Sequence, residues 1–148
     1  MTLWGVFDAK PRRSWRSAKG GAVDEDALSK IVIGAAIEVH RFFGPGLLED
    51  PYVESLCIEL DEVGVPYERE VRVPLHYKGQ SLRKDYFLDL LVGGVLVVEC
   101  KATVEDHPVY RAQCLTQLKL TNKRLGLVIN FGQPTLKAGL HRVVNNLK

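Results

Sequence analysis

The stretch Val95-Leu96-Val97-Val98-Glu99-Cys100-Lys101 constrains the fold more than any other part of the sequence. A continuous run of β-branched and aliphatic residues that ends abruptly in charges has the pattern of a strand buried on both faces. Such a strand needs a layer of structure above it and another below. Residues two apart in a strand project from the same face, so Glu99 and Lys101 leave the sheet together while Cys100 turns into the packing. Each of these charges costs several kcal/mol, roughly, if buried without a partner. Taken alone, a Glu-x-Lys at a strand end is most simply a structural ion pair.

The segments around this strand predict a mixed α/β (α+β) domain. Asp24-Glu25-Asp26 is an acidic first turn that suits the positive end of a helix dipole. Leu28, Ile31, Val32, Ala35, Ala36, Val39 and Phe43 then recur at spacings of three and four, up to the stop at Gly44-Pro45-Gly46. A second helix is expected from Pro51 to Val63, with Asp50 as N-cap, Pro51 as first helical residue and Gly64 closing it. Two strands follow, Tyr67–Tyr77 and Leu82–Val92, joined by a turn at Lys78-Gly79-Gln80. Gly93-Gly94 turns the chain into the central strand. A helix over Val109–Leu120, a strand over Leu125–Phe131 and a closing helix over Leu136–Leu147 complete the order ααβββαβα, a mixed sheet flanked by helices.

A second carboxylate, Asp89, lies on the preceding strand among Phe87, Leu88, Leu90 and Leu91. With Gly93-Gly94 as a two-residue turn, Val92 faces Val95, Leu90 faces Val97 and Asp89 falls opposite Val98. Asp89 is then one step diagonal from Glu99, and a bulge is needed to bring both carboxylates onto one face. If they converge, two carboxylates and the backbone carbonyl of Cys100 form a hard oxygen site suited to Mg²⁺ or Mn²⁺. A divalent ion there would activate water and offset charge on a scissile phosphate, with Lys101 orienting the water or stabilising the transition state.

The charge distribution fits a polyanionic partner. The chain has 148 residues and a net charge of only +2, but the charge is segregated. Residues 1–23 carry Lys10, Arg12, Arg13, Arg16 and Lys19 against Asp8, residues 24–100 carry fifteen acidic and seven basic residues, and residues 101–148 carry eight basic residues against Glu105 and Asp106. The first 23 residues show no periodicity and are expected to be a basic flexible tail, in which Arg12, Arg13, Arg16 and Lys19 are candidate phosphate contacts. Residues 24–148 are expected to form one domain.

Other classes are disfavoured. Cys57, Cys100 and Cys114 include no CxxC pair, so neither a zinc ribbon nor a disulfide framework is indicated and buried thiols are expected. His40, His76, His107 and His141 have no close ligand spacing, although His107 follows the Glu-x-Lys strand closely enough to approach it. No glycine-rich phosphate loop follows a strand, and no nucleophile elbow occurs. No apolar run is long enough to cross a bilayer, and the N-terminus lacks the plan of a signal peptide, which points to a cytoplasmic protein with no membrane contact.

The pattern Asp-x9-Glu-x-Lys across a hairpin after helices resembles the PD-(D/E)XK nuclease superfamily. Within it, Gly46-Leu47-Leu48-Glu49-Asp50-Pro51-Tyr52 is similar to the motif of the small GxxExxY proteins, as are Gly34–His40, Tyr86–Leu91, Val97–Ala102 and Leu118–Phe131. The resemblance covers residues 26–146 and implies a restriction-endonuclease-like core and a metal-dependent nuclease acting on nucleic acid, DNA in the first instance. It implies Asp89 and Glu99 as metal ligands, Lys101 as the catalytic lysine, Glu49 as a further acidic residue near the metal and Gln113 as an accessory polar residue. Glu49 has a structural alternative as a helix-start carboxylate, and Tyr52 as a packed ring with a bonded hydroxyl. Three positions depart from the pattern: Asp50-Pro51 can move the helix start, Gln117 stands where Tyr is frequent, and Phe87 stands where Arg is common. A fold of this kind also serves as a catalytically silent module binding nucleic acid or protein. With no separate recognition domain, specificity would come from a homodimer or a protein partner.

Overall fold

A computed structural model describes residues 24–146. Basic residues Arg12, Arg13, Arg16 and Lys19 lie outside them, as does the whole expected tail. Helix α1 spans Glu25–Phe43, with Asp24 as its N-cap accepting from the amides of Asp26 and Ala27. Helix α2 spans Glu49–Glu62, two residues ahead of the expected start. Leu48, not Asp50, is the N-cap, and Pro51 is the third helical residue, a position whose missing N–H would lack a partner within the helix in any case. This places Glu49 as the first residue of the helix.

The sheet contains β1 (Tyr67–Val73), β4 (Tyr86–Val92), β5 (Leu96–Lys101), β6 (Leu125–Asn130) and β7 (Leu140–Val144), in the order β1-β4-β5-β6-β7. Only β5 and β6 run parallel, joined by helix α3 (Val109–Thr121), so the sheet is mixed. The expected first hairpin divides in two. Pro74, which has no amide proton, follows β1, and His76–Tyr77 (β2) pairs with Gln80–Ser81 (β3) around Lys78 and Gly79 as a separate small ribbon. The expected closing helix is absent. A single 3₁₀ turn, Lys137–Gly139, leads into β7, which pairs with β6, since an edge strand shields the apolar β6 where an isolated helix would leave its amides bare.

Each sheet face carries its own core. Helices α1 and α2 cover Leu90, Val92, Leu96, Val98, Cys100, Leu125, Leu127 and Ile129, while α3 covers Leu88, Val97, Val128 and Val143. The central strand is sandwiched as its apolar run requires. The three cysteines are free and buried. Among the described residues, no helix is long and apolar enough to cross a membrane.

Two irregularities in the sheet change the surroundings of Asp89. Leu96, not Val95, pairs with Val92, so Val95 is an extra residue in the turn and the register with β5 shifts by one. In addition, Leu88 and Leu90 are two apart yet belong to opposite cores, and on β1 Tyr67 and Val71 divide in the same way. Both strands therefore reverse their faces at one level, where Glu70 (φ 50°) lies across from Asp89 between the pairs Arg69–Leu90 and Val71–Leu88.

Close approaches elsewhere make the packing testable. A Cβ on Gly132 would lie 2.4 Å from the Thr103 carbonyl oxygen, a backbone atom that cannot step aside, whereas one on Gly34 in α1 would meet nothing within 4 Å. Gly132→Ala is expected to destabilise the fold by about 2 kcal/mol, and Gly34→Ala to stabilise it by about 0.5–1 kcal/mol. Urea denaturation of the two variants measures both.

Candidate active site

Pairing of β4 with β5 ends at Leu90–Val98. One step further the shifted register would set Asp89 opposite Glu99, but β4 follows β1 through the kink and the two central strands part. Asp89 bridges the opening with its side chain: Oδ2 accepts the amide proton of Cys100 at 2.9 Å, a role the neighbouring strand's backbone would otherwise fill. In a strand, a residue's C=O points to the same edge as its N–H, so the Cys100 carbonyl is also directed into this fork. The bulge needed to bring the two carboxylates together exists, as an inserted Val95 combined with a kink at Asp89.

The Glu99 carboxyl feels the Asp89 carboxylate. Burial and then a hydrogen bond and negative charge from Asp89 push the Glu99 carboxyl up to about 8, against smaller opposing effects from Gln117 and Lys101. Glu49 is half-buried, and it too is raised, by burial first and then by the charge of Asp89, while Lys101 pulls it down. Glu49 thus shares the electrostatic neighbourhood of Asp89 and Lys101 from the α2 side. Among the described residues, no three Asp, Glu, His or Cys side chains already surround one point as a ligand set. The oxygen donors that fit a hard cation are the carboxylates of Asp89 and Glu99 with the Cys100 carbonyl, and water would complete the cation's shell.

The motif around Glu49 has a physical basis. The Tyr52 hydroxyl donates to the Gly44 carbonyl and accepts from the Leu47 amide at 3.2 Å, and its ring stacks on Phe131 at 4.6 Å. Gly46, with φ 120°, allows the loop to take this shape. Tyr52 is therefore a packed residue that fixes the loop, and the helix start bearing Glu49 is fixed with it.

Lys101 is also held. Its Nζ lies 4.8 Å from the centre of the Tyr110 ring. The Tyr110 hydroxyl donates to Thr103 Oγ1, and Thr103 is tied to Asn130, which is fully buried and in register with Lys101. Asn130 accepts from the amides of Thr103 and Gly132 and donates to Asp106, which in turn bonds His141. The sequence signal for Asn130 was an amide in an otherwise apolar strand. Gln113 is half-buried and has no hydrogen-bond partner among the described residues, whereas Gln117, one turn later on the same face of α3, donates to Glu99. His107 pairs with Glu105 at 2.9 Å. Phe87 is exposed.

A family model described as the PD-(D/E)XK nuclease superfamily matches residues 26–143. The chain belongs to the PD-(D/E)XK nuclease superfamily. No match was found among curated proteins or solved structures. The five-stranded mixed sheet with three helices is consistent with the restriction-endonuclease-like fold of PD-(D/E)XK domains, and nucleases of this superfamily usually use divalent metal ions.

A carboxyl that holds its proton more tightly in the folded chain stabilises the fold fully below its unfolded value and loses that contribution as pH rises through its folded value. For Glu99 the loss falls between its ordinary 4.5 and about 8. In metal-free protein, Glu99→Gln is expected to leave stability nearly unchanged at about pH 4.5 and to raise it by roughly 2 kcal/mol at about pH 8.5. Chemical denaturation at the two pH values checks the crossover.

Proposed function

We propose that this chain is a divalent-cation-dependent nuclease that hydrolyses phosphodiester bonds in DNA and belongs to the GxxExxY group of its superfamily. The observation that carries the reading is the fork between β4 and β5, where Asp89 and Glu99 are driven together beside a lysine ammonium. Two carboxylates held this close, one of them buried, repel each other when both are ionised, and a hard divalent cation relieves that repulsion. Asp89, Glu99 and the Cys100 carbonyl would hold Mg²⁺ or Mn²⁺, with Glu49 as an additional acidic partner.

When bound, the cation supplies an acidified water and neutralises charge on the phosphate. Lys101, fixed against Tyr110, orients the attacking water and places positive charge where the phosphorus gains oxygen. Water oxygen bonds to phosphorus as the P–O bond to the leaving nucleoside breaks, and the proton lost by the water is balanced by one taken up by the leaving oxygen. Glu49, within the electrostatic reach of Asp89 and Lys101, would accept a hydrogen bond from the water, and Gln113, one turn from Gln117, would meet the substrate. Arg12, Arg13, Arg16 and Lys19 would add phosphate contacts whose strength falls with salt.

Purified protein is expected to bind Mn²⁺, and Asp89→Asn, which keeps the acceptor for the Cys100 amide, to weaken that binding at least tenfold. Lys101→Ala is expected to retain Mn²⁺ while nicking of supercoiled DNA falls by about 100-fold or more. Mn²⁺ titration with a plasmid-nicking assay measures both. Binding of Mn²⁺ and DNA with no cleavage by the parent protein would replace the nuclease with a silent binding module.

A further inference from the structure

Among the described residues, one buried side-chain atom has no hydrogen-bond partner: Oε1 of Gln117. The residue is 3% exposed, and the other end of its amide, Nε2, donates to Oε2 of Glu99. Exchanging the amide's oxygen and nitrogen gives no remedy, because it sets a carbonyl against Glu99 when that carboxylate is ionised and, in either protonation state, orphans the NH₂ instead. An unpaired carbonyl inside a protein costs about 1–3 kcal/mol, a cost that an apolar side chain of similar shape would avoid. The adjoining residues of the same helix face, Cys114 and Leu118, are fully buried and apolar in character, so the packing here has no need of an amide.

We infer that Gln117 is a positioning residue of the cation site, its Nε2 fixing the Glu99 carboxylate and its Oε1 accepting a hydrogen bond from a water in the hydration shell of the divalent cation. This rests on Asp89 and Glu99 holding that cation. Mg²⁺ gives up its waters reluctantly and keeps several when bound by few carboxylates, so its shell offers donors at the distance where a second layer of protein groups meets it. Partners of this second layer orient the ligands and tune affinity. One amide would carry both tasks, reaching Glu99 from α3 on the sheet face opposite the helix that carries Glu49.

The test compares Mn²⁺ affinity, read by electron paramagnetic resonance, with the melting temperature of the metal-free protein, for the parent, Gln117→Leu and Gln117→Met. Both variants are expected to bind Mn²⁺ about 10–100-fold more weakly, while the metal-free melting temperature changes little, because losing the Nε2–H bond to Glu99 offsets the removal of the unpaired carbonyl. A merely structural amide gives the reverse result: lower metal-free stability with unchanged Mn²⁺ affinity. That result, or affinity and stability falling together in both variants, overturns the role of Gln117 while leaving the cation site intact. If the parent itself binds no Mn²⁺, the cation site and the inference fail together.

Discussion

The hydrogen bond from the Cys100 amide to the Asp89 carboxylate holds together the fork on which the proposed chemistry depends. Two strands that separate expose backbone donors and acceptors, and a buried N–H left unpaired carries a penalty comparable to a lost hydrogen bond. The side chain of Asp89 removes that penalty at 2.9 Å, and so a sheet can open at the point where β4 turns away from β5. The same bond keeps Asp89 beside the buried Glu99 carboxyl. Burial and the neighbouring Asp89 charge raise the Glu99 carboxyl, so that Glu99 holds its proton more tightly than a free carboxylate.

The surroundings of the fork give it rigidity on three sides. Tyr52 locks the loop ahead of α2 and thereby the helix start that bears Glu49. Tyr110 supports the Lys101 ammonium, and the buried Asn130 gathers the loop after Lys101 through four hydrogen bonds and accepts a fifth from Gly132, using both ends of its amide. From α3, Gln117 reaches Glu99. The candidate groups at the strand end are held by residues whose own positions are determined by packing, which is the arrangement a preorganised site requires.

Much of this was legible in the sequence. The apolar run ending at Lys101 demanded a two-sided central strand, and the alternation of a strand placed Glu99 and Lys101 on one face. Helical spacing gave α1 and α3 nearly to the residue. What escaped was non-local. Nothing in Gly93-Gly94-Val95 announces that Val95 is the inserted residue, and the kink at Asp89 arises from coordinated packing of β1 and β4 against two different cores. The segment from Leu136 onward carries helix-like spacing, but β6 offers it an edge, and tertiary pairing overrides local pattern. Gln117, a departure from the family pattern in the sequence, is the glutamine that meets Glu99, whereas Gln113 on the same face has no partner among the described residues. A pattern of residue types cannot tell which of two positions one turn apart is nearer the strand end.

Anomalous scattering from a crystal soaked in Mn²⁺ tests the fork most directly. A single strong peak is expected between the carboxylates of Asp89 and Glu99, close to the Cys100 carbonyl and within reach of Lys101 only through water. A peak elsewhere in the domain, or electron density showing Asp89 and Glu99 on opposite sides of the sheet, would contradict it.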